Sequence, residues 1–257
     1  VRLATFNINS IRARLDTALG WMRERQPDLV LLQETKVTDA EFPSEEFMRA
    51  GYGVATSGQK SYNGVAILSR LPLSDVSVGL LGDCPSDDRR YISASAGGLR
   101  CASVYVPNGK EVGHPAFFGK LAWLARLRET LDRETSQHGL PMVIGGDFNV
   151  ALEEQDVWSA EAMEGRIHFH PDERTAMRRV LGDQLMDAFR AKHPTRKEFS
   201  WWDYRGPCLR LNRGLRIDYL FVSSSLVDLI ADVRIEAEVR HGTRPSDHAP
   251  VMLDLNL

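Results

Sequence analysis

The chain has 257 residues, 43% of them hydrophobic, with 32 basic and 35 acidic side chains and a formal net charge of −3. That is enough apolar material for a sizeable core in one domain spanning residues 1–257, and so balanced a charge argues against a uniformly basic nucleic-acid surface. Cys84, Cys101 and Cys208 share no C-x-x-C spacing and leave an odd number, so neither a disulfide framework nor a zinc site is indicated and a reducing, cytoplasmic compartment is expected.

Residues 1–8 alternate like a strand, with no basic segment ahead of an apolar one, so no signal peptide is read there. Strands are predicted at 3–8, 29–33, 64–69, 91–96, 99–106, 142–144, 216–222 and 249–255, most of them short and rich in Val, Ile or Leu. A helix is predicted over 11–25, with Pro27 just beyond it. A second is predicted over 117–138, where Phe117, Leu121, Leu124, Leu127 and Leu131 keep helical spacing until Gly139-Leu140-Pro141. A third begins after Pro171 and runs over 172–181. The order implies an α/β architecture with helices packed outside sheets, without a linker or a repeat. The longest apolar runs, such as 29–32, are far too short for a bilayer, so no membrane partner is expected.

Four polar clusters close apolar runs: Asn7-Ile8-Asn9, Gln33-Glu34-Thr35-Lys36, Gly146-Asp147-Phe148-Asn149 and Ser246-Asp247-His248. Strands ending in carboxylates, carboxamides and a histidine gather hard oxygen ligands and a proton carrier at one sheet edge, a set suited to metal-assisted hydrolysis of a phosphate ester. Glu34 follows a run apolar enough to be buried on both faces, and a desolvated carboxylate there needs a counter-charge. Mg²⁺ or Mn²⁺ would supply it; an ion pair with Lys36 would do so equally well. Gly145 and Gly146 would permit a tight turn placing Asp147 and Asn149 on one side, the acid to take a proton from water and the amide to hold that water or a phosphate oxygen. The plainer alternative is an Asx turn. Asp218 lies inside the apolar run 217–222 and wants a cation; if it accepts a hydrogen bond from one imidazole N–H of His248, it sets the tautomer and raises the basicity of the other nitrogen. No nucleophile elbow, phosphate loop or zinc motif competes with this set.

Residues 195–217 carry six basic side chains against two acidic ones, a local +4, interleaved with Phe199, Trp201, Trp202 and Tyr204. Such a segment can stack on bases or sugars while guanidinium groups hold phosphates, or it can be a solvated loop over a core tryptophan pair.

Taken together, Phe6-Asn7-Ile8-Asn9, Leu32-Gln33-Glu34-Thr35-Lys36, Tyr62-Asn63-Gly64-Val65-Ala66, Tyr105, Gly146-Asp147-Phe148-Asn149, Phe199-Ser200-Trp201-Trp202-Asp203-Tyr204-Arg205, the run 212–218 and Ser246-Asp247-His248-Ala249-Pro250 resemble the exonuclease III family of DNA repair nucleases, within the endonuclease/exonuclease/phosphatase superfamily. The resemblance implies a four-layered αββα sandwich of two mixed sheets with helices outside. It implies a Mg²⁺ site with Glu34 as chief ligand, Asn7 and Asp247 close by and Asp147 and Asn149 at its border. Asp147 would then be the general base or water orienter, Asn149, His248 and Tyr105 would hold the scissile phosphate, and Asp218 would stand behind His248. Trp201, Leu215 and Ile217 would form an apolar pocket for a flipped abasic sugar, with Arg89, Arg90 and Arg213 as phosphate or groove contacts. The implied partner is double-stranded DNA with abasic sites or damaged 3′ ends, gripped by a monomer. Two positions depart from the family pattern. Ser10 would adjust the start of the first helix. His168 stands where strong abasic endonucleases commonly have a small residue; its ring would crowd the DNA strand beyond the cleavage point and favour 3′ termini over internal abasic sites. Two other readings are a superfamily phosphatase for an inositol phosphate or sphingomyelin head group, disfavoured by the arginine and tryptophan segment, and a DNA-binding protein with a dead site, disfavoured because no expected position is lost.

Overall fold

The computed structural model describes residues 1–84 and 87–257. Its strands are β1 (Arg2–Asn7), β2 (Leu29–Gln33), β3 (Gly53–Ser57), β4 (Val65–Ser69), β5 (Ser74–Val78), β6 (Tyr91–Ala96), β7 (Leu99–Tyr105), β8 (Met142–Asp147), β9 (Leu185–Asp187), β10 (Asp218–Ser223), β11 (Ile230–Ile235) and β12 (Val251–Leu255). The helices are α1 (Ile11–Arg25), α2 (Ser44–Arg49), α3 (Pro115–His138), α4 (Ala160–Met163), α5 (Pro171–Leu181) and α6 (Ala188–Lys192). Two six-stranded sheets run in the orders β11-β12-β1-β2-β4-β3 and β5-β6-β7-β8-β10-β9. Each is mixed, with β1 parallel to β2 and β7 parallel to β8 among antiparallel neighbours.

One apolar core lies between the sheets, where Leu31 and Leu253 of the first meet Val143 and Leu220 of the second. A second, with Leu124, Leu127, Met177 and Val180, packs α3 and α5 on one outer face. A third, with Trp21, Met22 and Phe47, packs α1 and α2 on the other. This is the expected α/β sandwich of two mixed sheets with helices outside. The eight predicted strands all form; the four unpredicted ones, β3, β5, β9 and β11, are the four sheet edges. Edge strands face solvent on one side and need no continuous apolar run, so the pattern that reveals a central strand is weak in them.

The glycines before Asp147 do not make the expected turn. Both lie within β8, which extends to Asp147. A Cβ on Gly145 would come within 2.7 Å of Leu31 and 2.8 Å of Leu220, and one on Gly146 within 1.9 Å of the Val104 carbonyl oxygen. The first keeps the sheets close and the second keeps β7 close to β8. Ser10 precedes α1 at φ 89° and its side chain makes no cap hydrogen bond.

Candidate active site

Strand register gathers the polar ends at one edge of the sandwich. Asn7 stands opposite Gln33, one residue before Glu34, in the parallel pair β1/β2. In the other sheet Asp147 stands opposite Tyr105 on one side and Asp218 on the other. His248 precedes β12, and Trp201 bridges it on one side and Leu215 on the other.

Ligand atoms of Glu34, Asp147 and His248 all lie within 4.8 Å of one another, and no other such group of three or more His, Cys, Asp or Glu occurs among the described residues. Asn7 Nδ2 donates to Glu34 Oε1 and to Asp147 Oδ2, both at 2.9 Å, while its Oδ1 accepts the Asn9 N–H at 3.0 Å. Asn7, which the resemblance places close to the metal site, bridges the two acids with its amide hydrogens. Glu34 Oε2 also pairs with Lys36 Nζ at 2.9 Å, so the ion pair and the acidic cluster coexist. Asp147 Oδ1 accepts the Asn149 N–H at 2.9 Å, an Asx-type link, and Asn149 Nδ2 donates to the Val106 carbonyl at 3.0 Å and to Asp147 Oδ2 at 3.3 Å. Asp247 lies outside the close group: its oxygens accept Asn9 Nδ2 at 2.8 Å and Trp201 Nε1 at 3.0 Å.

The buried His248 lies between two acids, its Nδ1 2.8 Å from Asp218 and its Nε2 3.7 Å from Asp147. Ser200 Oγ, fully buried, donates to Asp218 Oδ2 at 2.7 Å and accepts the Asp218 N–H at 3.0 Å. Burial alone would lower the imidazole's proton affinity, but Asp218, Asp147 and Asp247 outweigh it and hold His248 up at about 10. Burial pushes Asp147 up to about 7, against the pull of His248. Burial also works against the Glu34 charge, yet Lys36 and Asn7 keep that carboxyl below its usual range. Burial, with Glu34 and Asp147 beside it, raises Tyr105 well above the ordinary phenol, so its hydroxyl is a donor at neutral pH. Two carboxylates with carboxamides and no thiolate nearby suit a hard, oxygen-preferring dication.

Beside this centre, Leu215, Ile217, Val157 and Phe169 form an apolar cluster against which Trp201, Trp158 and Met163 pack. His168 lies in the same wall, 8% exposed, its ring 6.2 Å from that of Trp201. Its Nδ1 is 2.7 Å from the Asn149 carbonyl, which can only accept, so Nδ1 carries the proton; Nε2 faces Asn108 Nδ2 at 3.4 Å. Burial and the nearby Lys120 push His168 down to about 3, leaving it neutral.

The model of the Endonuclease/Exonuclease/phosphatase family matches residues 4–248. Exodeoxyribonuclease III of Haemophilus influenzae is 34% identical, over 98% of this chain and 98% of that protein. The chain belongs to this family, in its exonuclease III branch. Solved structures also align closely with this chain. A 3′ phosphatase, NExo, from Neisseria, bound to product DNA hairpin, superposes at a TM-score of 0.96 with 37% identity, over 100% of this chain and 99% of that one. An AP endonuclease from Archaeoglobus fulgidus superposes at 0.94 with 36% identity, over 100% of both chains.

For this member of the exonuclease III branch, the structure brings Asn7, Glu34, Tyr105, Asp147, Asn149, Asp218 and His248 to one edge and Trp201, Leu215, Ile217 and His168 to the adjoining wall. Arg90 lies over the Tyr105 ring at 4.7 Å and pairs with Asp88 at 3.1 Å. Arg89 braces the 59–64 loop through its backbone, accepting the Gly64 N–H at 2.8 Å. Arg213 lies over the Trp158 ring at 5.1 Å. Sequence reasoning missed Asn9, Asn108, Lys120 and Ser200 as parts of the site. Asn9 and Ser200 lie in motifs the sequence reading had singled out without giving them a role, and Lys120 had a signal as a charge on a predicted helix three residues after buried Phe117 and four before buried Leu124; Asn108 had none.

Proposed function

We propose that the protein is a Mg²⁺-dependent DNA repair phosphodiesterase that acts as a single-domain cytoplasmic monomer on duplex DNA. Its activities are 3′ to 5′ exonuclease, 3′ end processing and abasic-site endonuclease, with the last weakened by His168. The observation that carries this reading is the convergence of Glu34, Asp147 and His248 within 4.8 Å, beside an apolar wall containing Trp201, Leu215 and Ile217. The activities of the two superposed proteins, a 3′ phosphatase and an AP endonuclease, support the same choice.

Glu34 would be the principal holder of Mg²⁺, with Asp147 at its border. When bound, the ion would polarise the scissile phosphate and ease departure of the 3′ oxygen. Asp147, pushed up to about 7, is poised to orient a water and take its proton. The protonated His248, fixed by Asp218 and Ser200, offers a charged N–H to a phosphate oxygen. Asn149 and the neutral Tyr105 supply further donors to the developing charge. The wall of Trp201, Leu215 and Ile217 admits a base-free sugar and rejects a nucleotide that would need unstacking. The rigid imidazole of His168 occupies part of that wall and selects for ends, where no strand continues.

The test is incubation with a duplex carrying an abasic analogue and with a recessed duplex, each with Mg²⁺ or a chelator, alongside an inositol phosphate. Metal-dependent shortening of the recessed strand from its 3′ end is expected, faster than abasic incision. Phosphate release from the inositol ester alone, or DNA binding without any cleavage, would overturn the reading.

A further inference from the structure

Lys120 is a fully buried lysine on α3, whose neighbours on that face are Phe117, Leu124 and Leu127. Its ammonium has three hydrogens and meets three acceptors: Glu173 Oε1, the Asn149 carbonyl at 2.6 Å and the Asn108 carbonyl at 3.2 Å. Glu173 is itself fixed at the start of α5, where its Oε2 accepts the His170 N–H at 3.2 Å. Gly109, at φ 90°, closes over the lysine stem; a Cβ there would lie 3.1 Å from Lys120 Cδ.

The two carbonyls belong to different loops, Asn108 after β7 and Asn149 after β8, and their side chains touch, with Asn108 Nδ2 3.3 Å from Asn149 Oδ1. That contact takes the Asn149 amide oxygen and leaves its Nδ2 aimed at the Val106 carbonyl and Asp147 Oδ2. Asn149 also sits at φ 52°, a left-handed conformation that asparagine tolerates better than most side-chain-bearing residues. Lys120 Nζ and His168 Nδ1 together occupy both lone pairs of its carbonyl.

We propose that Lys120 is a positioning residue for the phosphodiesterase reaction: by drawing the Asn108 and Asn149 carbonyls onto one ammonium, it sets the Asn149 carboxamide against Asp147. The inference rests on the nuclease reading above for its effect on rate, but not for its effect on Asn149 itself. An ion pair serving only as packing could be exchanged for apolar side chains at little cost, whereas one that orients a reacting group could not.

The test is the paired variant Lys120→Met with Glu173→Leu, which leaves no buried charge without a partner, with Glu173→Gln as a milder second variant should the pair fail to fold. Thermal melting should show a folded protein. On a recessed duplex kcat should fall about tenfold to a hundredfold with KM within about threefold, as a misplaced group in an otherwise intact site predicts. Adding Asn149→Ala should then cost less than it does in the unsubstituted protein, and hydrogen exchange of the Asn149 side-chain amide should accelerate in NMR spectra. A folded variant with unchanged kcat and unchanged amide exchange would overturn the proposal, as would a loss that simply multiplies with that of Asn149→Ala. If the unsubstituted protein cleaves no duplex, the nuclease reading fails, and the amide exchange still decides whether Lys120 positions Asn149.

Discussion

The Nδ1 edge of His248 faces both oxygens of Asp218, at 2.8 and 3.1 Å. Because Asp218 stands opposite Asp147 in the β8/β10 pairing, the ring's other nitrogen is turned to that second acid. The imidazole is thus held charged between two buried aspartates, and this pairing sets the pH behaviour of the site.

Asp218→Asn should lower the proton affinity of His248, which NMR titration of the metal-free protein would read directly. The ordinary imidazole value is 6.5 and the folded value is raised to about 10. A raised folded value contributes stability that is fully present below pH ~6.5 and is lost as pH climbs through about 10. The unsubstituted protein should therefore lose melting temperature between pH ~7 and ~10, and the variant should start lower with a flatter curve. Turnover at neutral pH should fall about 10²- to 10⁴-fold, the range for a disabled proton-handling group. Parallel melting curves for the two proteins would contradict the assignment.

Asp147→Asn keeps the shape of the side chain but removes the atom that accepts a proton. Single-turnover cleavage should slow by about 10²-fold or more, while DNA affinity and the circular dichroism spectrum stay close to those of the unsubstituted protein. His248→Ala should do the same to the rate. Near-normal rates in either variant would reassign the base and the phosphate contact.

Glu34→Gln removes the charge that Lys36 and Asn7 hold below the usual carboxyl range. Divalent-ion affinity should weaken by more than the roughly 10- to 100-fold that losing an outer-shell partner costs, and part of the lost rate should return at high Mg²⁺. Added Mg²⁺ should raise the melting temperature of the unsubstituted protein, because a ligand bound only by the folded state stabilises it. That rise should vanish in the variant at millimolar ion. An equal rise in both would place the metal elsewhere.

His168→Gly suits the local backbone, which sits at φ 72°. It opens the wall beside Trp201 and removes one of two donors to the Asn149 carbonyl, the other being Lys120. The ratio of abasic incision to 3′ exonuclease rate should rise about tenfold, the scale of one steric discrimination step, while both absolute rates depend on the remaining lysine contact. Measured in one reaction on a mixed pair of duplexes, an unchanged ratio would remove His168 from specificity. Since His168 is neutral above about 3, this ratio should not vary between pH ~6 and ~9.

Residue pattern alone was enough to place the eight inner strands and the polar clusters at their ends, because a strand buried on both faces must be apolar along its length and its first polar residues mark where it emerges. The same logic misread Gly145 and Gly146. Their smallness serves contacts with Leu31, Leu220 and Val104, from distant parts of the chain, and carries no local turn. It passed over β3, β5, β9 and β11 because an edge can be polar and short without penalty. On α3, Lys120 and Glu134 fill core positions that an apolar stripe would reserve for leucine, and only packing shows why: Glu173 and Arg100 are waiting for them. Which acid faces which side of His248, and that Asn7 links Glu34 to Asp147, 140 residues beyond Asn7 itself, depended on register between strands and between sheets. Those pairings are non-local, so no window of sequence carries their energy; they exist only once the two sheets have closed on each other.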